Sequence, residues 1–405
     1  MKKYIWMIIL LLVVCQGGYS QEFNAVKEHA RYLDSLEKEY NSYISYLKSD
    51  YNSYVDSLVK DYDAYVNQLR KEYTDFIKEI REKWGDKEVV QSTQKVWVEY
   101  SDAKDSRTIV NFEKGEAVVE VLSRQNIKED VVKERLVKAV IGLLESKGST
   151  VEFNSSVVKK DKVTETSVLT NQIKTEKYTK SNKGKGIESN VLARSVVLSE
   201  KVEQKNVYTK DGVKKISSIR LQLATDHLPQ RARQYSDLIR KYSQMFNVEE
   251  PILYAIIEQE SAFNPIARSG AFACGLMQVV PTTGGRDAFR YLYKRDGVPT
   301  QEYLFNPDNN IKLGTAYFAL QMNRYFSGVK DRRSKILCSI AGYNMGHGGV
   351  YKAMVGNYNK KEAEKKINTM TPEQLYNHLK VNLHADETRD YIQKVSSKMV
   401  KYIKN

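Results

Sequence analysis

One carboxyl group in this sequence is placed where it could act as a general acid. A helical pattern begins at Pro251, and within it Ile252, Ile256 and Glu260 recur every four residues, so Glu260 continues an apolar stripe. An apolar environment disfavours the ionised carboxylate and raises its pKa, which a general acid working near neutral pH requires. Glu258 is expected to point to a different side of the helix. The alternative interpretation of Glu260 is a structural carboxylate at a helix end.

The sequence contains no pattern that is typical of another kind of catalytic centre. The five histidines are scattered and no C-x-x-C or H-E-x-x-H spacing occurs, so we expect neither a metal ion nor a cofactor. Cys274 and Cys338 allow either a disulfide bond or two buried thiols, and we favour the thiols. The chemistry is therefore expected to come from ordinary polar side chains.

Four sequence blocks include the candidate acid and regions that follow it. They are Glu-Ser-Ala-Phe-Asn-Pro-Ile-Ala-Arg-Ser at 260–269, Gly-Leu-Met-Gln-Val-Val-Pro at 275–281, Gly-Tyr-Asn-Met-Gly at 342–346 and Glu-Thr-Arg-Asp-Tyr at 387–391. Their order and spacing resemble the signature blocks of the soluble-lytic-transglycosylase family of peptidoglycan-cleaving enzymes, which implies a helical, goose-lysozyme-like fold. Further stretches look like the membrane-bound lytic murein transglycosylase C branch, and they lie at 83–85, 98–115, 282–290, 306–317 and 367–372.

The resemblance implies roles for three residues around the reacting sugar. Glu260 would be the catalytic acid/base, Ser269 would lie near the N-acetyl group of the substrate, and Tyr391 would form a hydrogen bond near the reacting sugar. The residue types also allow structural interpretations. Ser269 could be a turn residue, and Tyr391 could be part of the core.

The same resemblance implies a saccharide groove. Met277 and Gln278 would line it, and Tyr343 and Asn344 would complete its floor. Core packing is the alternative for Met277 and Tyr343. The sequence departs from the usual family blocks at three positions, which leaves the groove shape in question more than the chemistry. These are Phe272, Cys274 and Met345, of which the first could stack on a sugar ring.

The family reaction implied here needs only one carboxyl group. Most glycosidases place two carboxylates across the scissile bond, yet no acidic residue occurs between Glu260 and Asp287. Glu260 would protonate the oxygen between N-acetylmuramic acid and N-acetylglucosamine. It would then deprotonate the C6 hydroxyl of the same muramic acid, which closes onto C1 as a 1,6-anhydro product. A hydrolytic muramidase with the same acid and a non-catalytic wall-binding scaffold are the alternative hypotheses.

The first 20 residues predict export. Lys2 and Lys3 precede an apolar run at 4–14 that is too short to span a bilayer, and small residues at 18–20 offer a cleavage site. A lipoprotein signal ending before Cys15, which would then carry a lipid anchor, is the competing interpretation. We therefore expect a periplasmic protein attached to the outer membrane. Its net charge of +14 is expected to attract anionic lipids and acidic wall polymers, and not nucleic acid.

The elements that must position Glu260 begin with a repeat of 11 residues at 24–85. A tyrosine followed by an aliphatic residue recurs in it, as in Tyr43-Ile44, Tyr54-Val55 and Tyr65-Val66. Eleven residues make three turns of 3.67, so the stripe stays on one face of a single helix of roughly 90 Å. Such a helix could hold a catalytic domain away from a membrane, form oligomers or pack along its own domain, and the sequence leaves all three open.

Alternating hydrophobicity then indicates an α+β domain at 87–226. A hairpin loop at 113–115 separates two strand patterns, and a helix follows around Val132, Leu136 and Val140. The predicted strands lie at 96–100, 107–112, 117–122, 150–158, 163–170, 190–199 and 213–223. From 229 to 405 the pattern is helical. The predicted fold class is α+β and multidomain: a long N-terminal helix, an α+β domain and a mostly α-helical lysozyme-like domain.

Overall fold

A computed structural model describes residues 19–178, 187–269 and 272–403. The predicted export signal, except its last two residues, and the candidate lipid-anchor residue Cys15 lie outside the described residues. No helix in the described part of the chain is both long and apolar enough to cross a membrane. The chain divides into two units, Met1–Asp61 and Tyr62–Asn405.

A single helix, α1, spans Tyr19–Trp84, and its 66 residues confirm the predicted long N-terminal helix. Neither Pro nor Gly occurs within it, so nothing in the sequence interrupts its backbone hydrogen bonds. The helix ends at Gly85, whose φ of 96° is one that L side chains rarely adopt. A Cβ at Gly85 would meet the carbonyl oxygen of Tyr208 at 2.4 Å. Glycine therefore both ends the helix and permits a close backbone approach.

Within the second unit, the last turns of α1 pack along their own domain. The repeat positions that form the predicted stripe are buried there, namely Val66, Leu69, Phe76, Ile77 and Ile80. For this part of the helix, packing along its own domain is therefore the correct interpretation. The spacer and oligomerisation hypotheses remain predictions.

The α+β domain contains an antiparallel sheet and two helices. Their bounds are β1 Val96–Tyr100, β2 Ser106–Asn111, β3 Glu116–Arg124, α2 Glu129–Glu145, α3 Ser189–Ser199, β4 Glu203–Thr209 and β5 Gly212–Gln222. The strand order in the sheet is β1-β2-β3-β5-β4. The hairpin between β2 and β3 pairs Asn111 with Glu116, as the loop at 113–115 predicts.

The two faces of this sheet bury different helices. Val119 and Val121 on β3 join a core that includes α2 and α3. Leu122 points the other way and joins Ile80 and Trp84 at the end of α1. Because side chains alternate along a strand, one β3 strand contributes to both cores. The sheet thus fixes the end of α1 on the opposite side from α2 and α3.

Three of the predicted strands are wrong. The run at 190–199 is helix α3, because its buried residues recur with helical spacing at Leu192, Ala193, Val196 and Val197. This packing outweighs the preference of valine for strands. The runs at 150–158 and 163–170 are irregular loops, and one backbone hydrogen bond, from Thr150 N to Asp161 O at 2.9 Å, ties the first of them back.

Strand β4 is a further difference from the sequence interpretation, which does not predict it. Of its residues only Val207 is buried, and the other side chains are exposed or nearly so. Alternation of apolar and polar residues is therefore absent, although β4 pairs with β5 over its full length. An edge strand with one anchoring side chain gives almost no signal in a sequence.

The chain after the sheet is helical, as predicted for 229–405. Proline stands in the first turn of the helices that begin near Pro251, Pro307 and Pro372, where it needs no hydrogen-bond acceptor. One large core joins these helices. They are α4 His227–Gln234, α5 Ser236–Phe246, α6 Glu250–Ser261, α7 Arg286–Tyr293, α8 Gln301–Phe305, α9 Pro307–Leu320, α10 Arg332–Met345, α11 His347–Val355, α12 Lys360–Ile367, α13 Pro372–Asn382 and α14 Asp386–Ile403.

Candidate active site

Glu260 lies in the last turn of α6, on the same buried stripe as Ile252 and Ile256. Only 8% of the residue is exposed. Ala262 then adopts a left-handed conformation with φ 51° and ends the helix. The apolar placement predicted from the four-residue spacing is therefore present in the structure.

The surroundings of Glu260 favour its protonated form. The pKa of Glu260 is raised from 4.5 to about 7, chiefly by burial and to a smaller extent by the negative charge of Glu387. Two groups oppose this shift in the pKa: the Tyr391 hydroxyl, which donates a 2.7 Å hydrogen bond to Oε1, and the positive charge of Lys95. A carboxyl with a pKa near 7 can give up and take back a proton at neutral pH.

Glu258 is also buried but has a different environment. Lys398 and Lys401 lie 3.1 and 2.9 Å from its two oxygens, and the Tyr402 hydroxyl donates a hydrogen bond of 2.5 Å. Burial alone would raise its pKa, yet these hydrogen bonds and charges lower it. Glu258 is therefore an ionised structural carboxylate, on another side of α6 as the spacing predicts.

Ser269 lies in the loop after α6. Its hydroxyl accepts a 3.1 Å hydrogen bond from the backbone N–H of Ala273, and its own N–H donates to the Ala273 carbonyl at 3.2 Å. These bonds make Ser269 a turn residue. Its side chain also lines a cavity of about 950 Å³, whose lining does not include Glu260. A turn role and a place in the cavity wall are compatible in this geometry.

Met277 and Gln278 occupy a tight turn that starts at Gly275. Met277 is fully buried in the core, and its N–H donates to Oδ1 of Asn310 at 2.8 Å. The Gln278 amide donates to the carbonyls of Ala267 and Gly275 at 3.1 and 3.0 Å. Among the described residues, Oε1 of Gln278 has no hydrogen-bond partner. Met277 thus packs the turn against the core, while Oε1 of Gln278 remains a buried acceptor without a hydrogen bond from the described residues.

Tyr343 and Asn344 come from the end of α10. The Tyr343 hydroxyl donates to the Met277 carbonyl at 2.8 Å, and the nearby charge of Glu260 contributes, after burial, to its raised pKa. Oδ1 of Asn344 accepts a 2.6 Å hydrogen bond from the Thr388 hydroxyl. Helix α10 is thereby tied to both the Met277 turn and α14, the helix that carries Tyr391.

The structure therefore brings together most of the residues singled out by sequence. Glu260, Tyr391 and Tyr343 interact directly or electrostatically, and Met277 and Asn344 hold the elements that carry them. Ser269 lies on the wall of the cavity described above, which Glu260 does not line. Within the described residues, no group of three or more potential ligands is suited to a metal ion.

Two charged residues near Glu260 have no role in the sequence interpretation. Glu387 belongs to the 387–391 block and stands four residues before Tyr391, so helical spacing alone could have placed both on one face of α14. Lys95 comes from the α+β domain, immediately before β1, and no sequence pattern connects it with α6. The site therefore receives charge from a domain with no catalytic motif.

The cysteines and Phe272 can also be placed. Cys274 and Cys338 are separate buried thiols. Phe272 has φ 61° and packs beside Leu69, with the Arg70 guanidinium 4.8 Å from its ring centroid. One face of the Phe272 ring is thus occupied by an arginine from α1.

Two protein families match parts of this chain. The family described as Transglycosylase SLT domain matches residues 237–367, and that described as Membrane-bound lytic murein transglycosylase C, N-terminal domain, matches residues 62–234. Membrane-bound lytic murein transglycosylase C of Yersinia pestis (strain Pestoides F) is 32% identical over 320 residues, which cover 79% of this chain and 85% of that protein. The protein of the same name from Yersinia pseudotuberculosis serotype O:1b (strain IP 31758) gives the same values.

A solved structure also matches part of the chain. The 70 kDa soluble lytic transglycosylase from Escherichia coli is 25% identical over a match that covers 44% of this chain and 25% of that one, with a TM-score of 0.33. This chain therefore spans about a quarter of that larger protein.

The matched transglycosylase domain and the named relatives define the class of enzyme, a lytic transglycosylase acting on peptidoglycan. Both the N-terminal and the catalytic domains match, and the named relatives are 32% identical over most of their length. The chain therefore belongs to the membrane-bound lytic murein transglycosylase C family.

Proposed function

We propose that the protein cleaves the β-1,4 bond between N-acetylmuramic acid and N-acetylglucosamine in peptidoglycan, with Glu260 as its single acid/base. The observation that carries this proposal is the buried Glu260 carboxyl, whose pKa of about 7 keeps a proton available near neutral pH. Family membership supports the substrate class. The burial of Glu260 and its hydrogen bond from Tyr391 support its choice as the acid/base.

In the first step, protonated Glu260 donates its proton to the glycosidic oxygen. The bond between C1 of the muramic acid and that oxygen breaks, and the oxygen leaves as a hydroxyl group of the N-acetylglucosamine. Positive charge develops at C1, where the N-acetyl group of the muramic acid helps to stabilise it. Glu260 is now ionised, and the 2.7 Å hydrogen bond from Tyr391 stabilises that form.

In the second step, ionised Glu260 removes the proton from the C6 hydroxyl of the same muramic acid. The C6 oxygen bonds to C1 and forms the 1,6-anhydro ring, and Glu260 returns to its protonated state without consuming water. Attack within one sugar ring has the advantage of proximity. One carboxyl group with a pKa near 7 can perform both steps, because each form is accessible at neutral pH.

The remaining side chains receive roles that follow their contacts. We assign Ser269 to the region of the N-acetyl group, and Oε1 of Gln278 as a buried acceptor for a substrate N–H or hydroxyl. Met277, Tyr343 and Asn344 are positioning residues beneath the saccharide groove, because their polar contacts and burial lie within the protein.

The masses of the digestion products test this function. Peptidoglycan digested by the protein should yield fragments with 1,6-anhydro ends, each one water lighter than the corresponding hydrolysis product. Fragments with reducing muramic acid ends would support the muramidase hypothesis instead. The absence of any cleavage by the folded protein would support the wall-binding scaffold.

We further propose that the protein works in the periplasm and is held at the outer membrane by a lipid on Cys15. The support is the leader pattern in residues 1–20 and membership of a family whose relatives are named membrane-bound. Replacement of Cys15 by alanine should move the protein from the membrane fraction to the soluble periplasmic fraction. Retention in the membrane fraction would contradict the anchor. Oligomerisation through α1 remains a separate prediction.

A further inference from the structure

A cavity of about 950 Å³ lies within the second unit. Its walls come mainly from the last turns of α1, the segment before β1, the loop at 151–153 and the loop that carries Ser269. This volume is at the upper end of what small-ligand sites enclose. Apolar side chains form part of the wall, chiefly Leu69, Tyr73, Val151, Phe153 and Phe272. The cavity can therefore accept a ligand that has both alkyl and polar groups.

Most of the charged groups in this wall already have partners. Lys95 pairs with Glu113 at 2.5 Å. Arg268 donates to the carbonyl of Ser149 at 2.8 Å, stacks 4.2 Å from the Phe305 ring centroid and faces Glu152 at 3.9 Å. These contacts balance two of the three cationic side chains in the wall.

Arg70 is the exception. Among the residues that the structure describes, it forms no ion pair, and its guanidinium lies 4.8 Å from the ring centroid of Phe272. Leu69 beside it is buried, whereas Arg70 itself is exposed. Stacking on an aromatic ring orients a guanidinium and leaves its N–H donors free to bind an anion.

We propose that this cavity binds the peptide carried by muramic acid, and that Arg70 binds a carboxylate of that peptide. The inference rests on the proposed function, because it takes the muramic acid at Glu260 as given. It adds a specificity determinant that belongs to α1 and lies outside the glycan groove.

The chemistry of the substrate connects the two sites. In muramic acid the N-acetyl group is on C2, and the lactyl ether that carries the peptide is on the adjacent C3. If Ser269 lies near the N-acetyl group, the peptide leaves the sugar close to Ser269. Ser269, Phe272 and Arg70 line the same cavity. A short acidic peptide that extends from the sugar would therefore meet the free guanidinium.

The peptide fits this wall better than a further stretch of glycan. It carries free carboxylates, which an arginine can bind through two parallel hydrogen bonds. Its alanine methyl groups suit the apolar side of the cavity around Leu69 and Val151. A glycan segment without peptide bears its only carboxylate on the lactyl group beside the sugar ring, and it lacks the alanine methyl groups that suit the apolar side of the cavity.

Binding of two soluble ligands to the full chain in a Glu260→Gln background provides the test. One ligand is a disaccharide tetrapeptide from peptidoglycan, and the other is the same disaccharide without peptide. Arg70→Gln should lower the ratio of the two affinities about tenfold, the effect expected for one charge-assisted pair. Lys71→Gln is the matched control, since it removes a neighbouring exposed charge from α1 outside the cavity lining, and it should leave the ratio unchanged.

Two outcomes would overturn the proposal. An unchanged ratio in Arg70→Gln, with both affinities retained, would show that Arg70 binds no part of the peptide. An equal loss for both ligands would indicate a glycan site instead. Phe272→Leu separates the same hypotheses. If the Phe272 ring stacks on a sugar, the variant should lose affinity equally for both ligands. If the ring orients the Arg70 guanidinium, the loss of affinity should be confined to the peptide ligand. These results do not depend on cleavage, so failure of the proposed reaction would be seen separately in the product masses.

Discussion

The hydroxyl of Tyr391 donates a 2.7 Å hydrogen bond to Oε1 of Glu260, across 131 positions of sequence. Both groups are buried, so this bond is shielded from water and acts directly on the ionisation of the carboxyl. Burial favours the protonated acid, and the hydrogen bond favours the ionised form. The pKa of about 7 results from these opposing effects.

Replacement of Tyr391 by phenylalanine should raise the pKa of Glu260 further. The variant loses a hydrogen bond that stabilises the ionised carboxylate, while burial remains. Because the first step needs protonated Glu260, activity declines as pH rises through this pKa. The alkaline limb of the kcat/KM profile should therefore move to higher pH. A limb that moves to lower pH would contradict this account.

Replacement of Glu387 by glutamine should have the opposite effect on the same limb. It removes a negative charge that raises the pKa of Glu260, so the ionised form becomes easier to reach. The alkaline limb should move to lower pH. Lys95→Met provides a matched comparison, since loss of its positive charge should move the alkaline limb to higher pH. If all three variants moved the limb in one direction, the electrostatic account of the site would be wrong.

The raised pKa of Glu260 also predicts a pH-dependent cost to stability. The unfolded state has the ordinary value of about 4.5, so between that pH and about 7 the native state binds more protons and its stability falls as pH rises. The full cost above pH 7 is about 3 kcal/mol. Glu260→Gln should therefore gain free energy of unfolding relative to the wild type at pH 8 but little at pH 4. Urea titrations at both pH values measure this difference, and an equal gain at both would contradict the prediction.

Gly275 should not tolerate a side chain. Its φ is 71°, and a Cβ would lie 2.5 Å from Nδ2 of Asn310 and 2.8 Å from the Leu304 carbonyl oxygen. Gly275→Ala should therefore cost about 3 kcal/mol of stability and disturb the Met277 turn. Gly356→Ala is the matched control: its φ is 78°, but nothing lies within 4 Å of the added atom. Its cost should be about 1 kcal/mol in urea unfolding, and equal costs for both variants would show that crowding at Gly275 is not important.

Local patterns were sufficient for the long helix and for the position of Glu260. The 11-residue repeat without Pro or Gly specifies one helix, and spacing of four residues places Glu260 on the buried stripe of α6. Strand β3 was also predictable, although both of its faces are buried, because an apolar run follows a recognisable hairpin loop. These features depend on the periodicity of neighbouring residues, which the sequence shows directly.

The remaining features depend on contacts between distant parts of the chain. The valine-rich sequence of α3 predicts a strand, and its helical form follows from packing in the core. Lys95 reaches Glu260 electrostatically from another domain, and Arg70 stacks on Phe272 from α1. Neither pairing has a short-range pattern, so neither was predictable without the fold.

The central claim is that Glu260 supplies both proton transfers, and the Glu260→Gln variant tests it most directly. Glutamine preserves the size of the side chain but cannot donate or accept the catalytic proton, so release of anhydro-ended fragments from peptidoglycan should fall at least about a thousandfold. Glu250→Gln at the start of the same helix should retain normal release. If Glu260→Gln still produced anhydro ends at a rate near that of the wild type, another group would be the acid/base and the account would be contradicted.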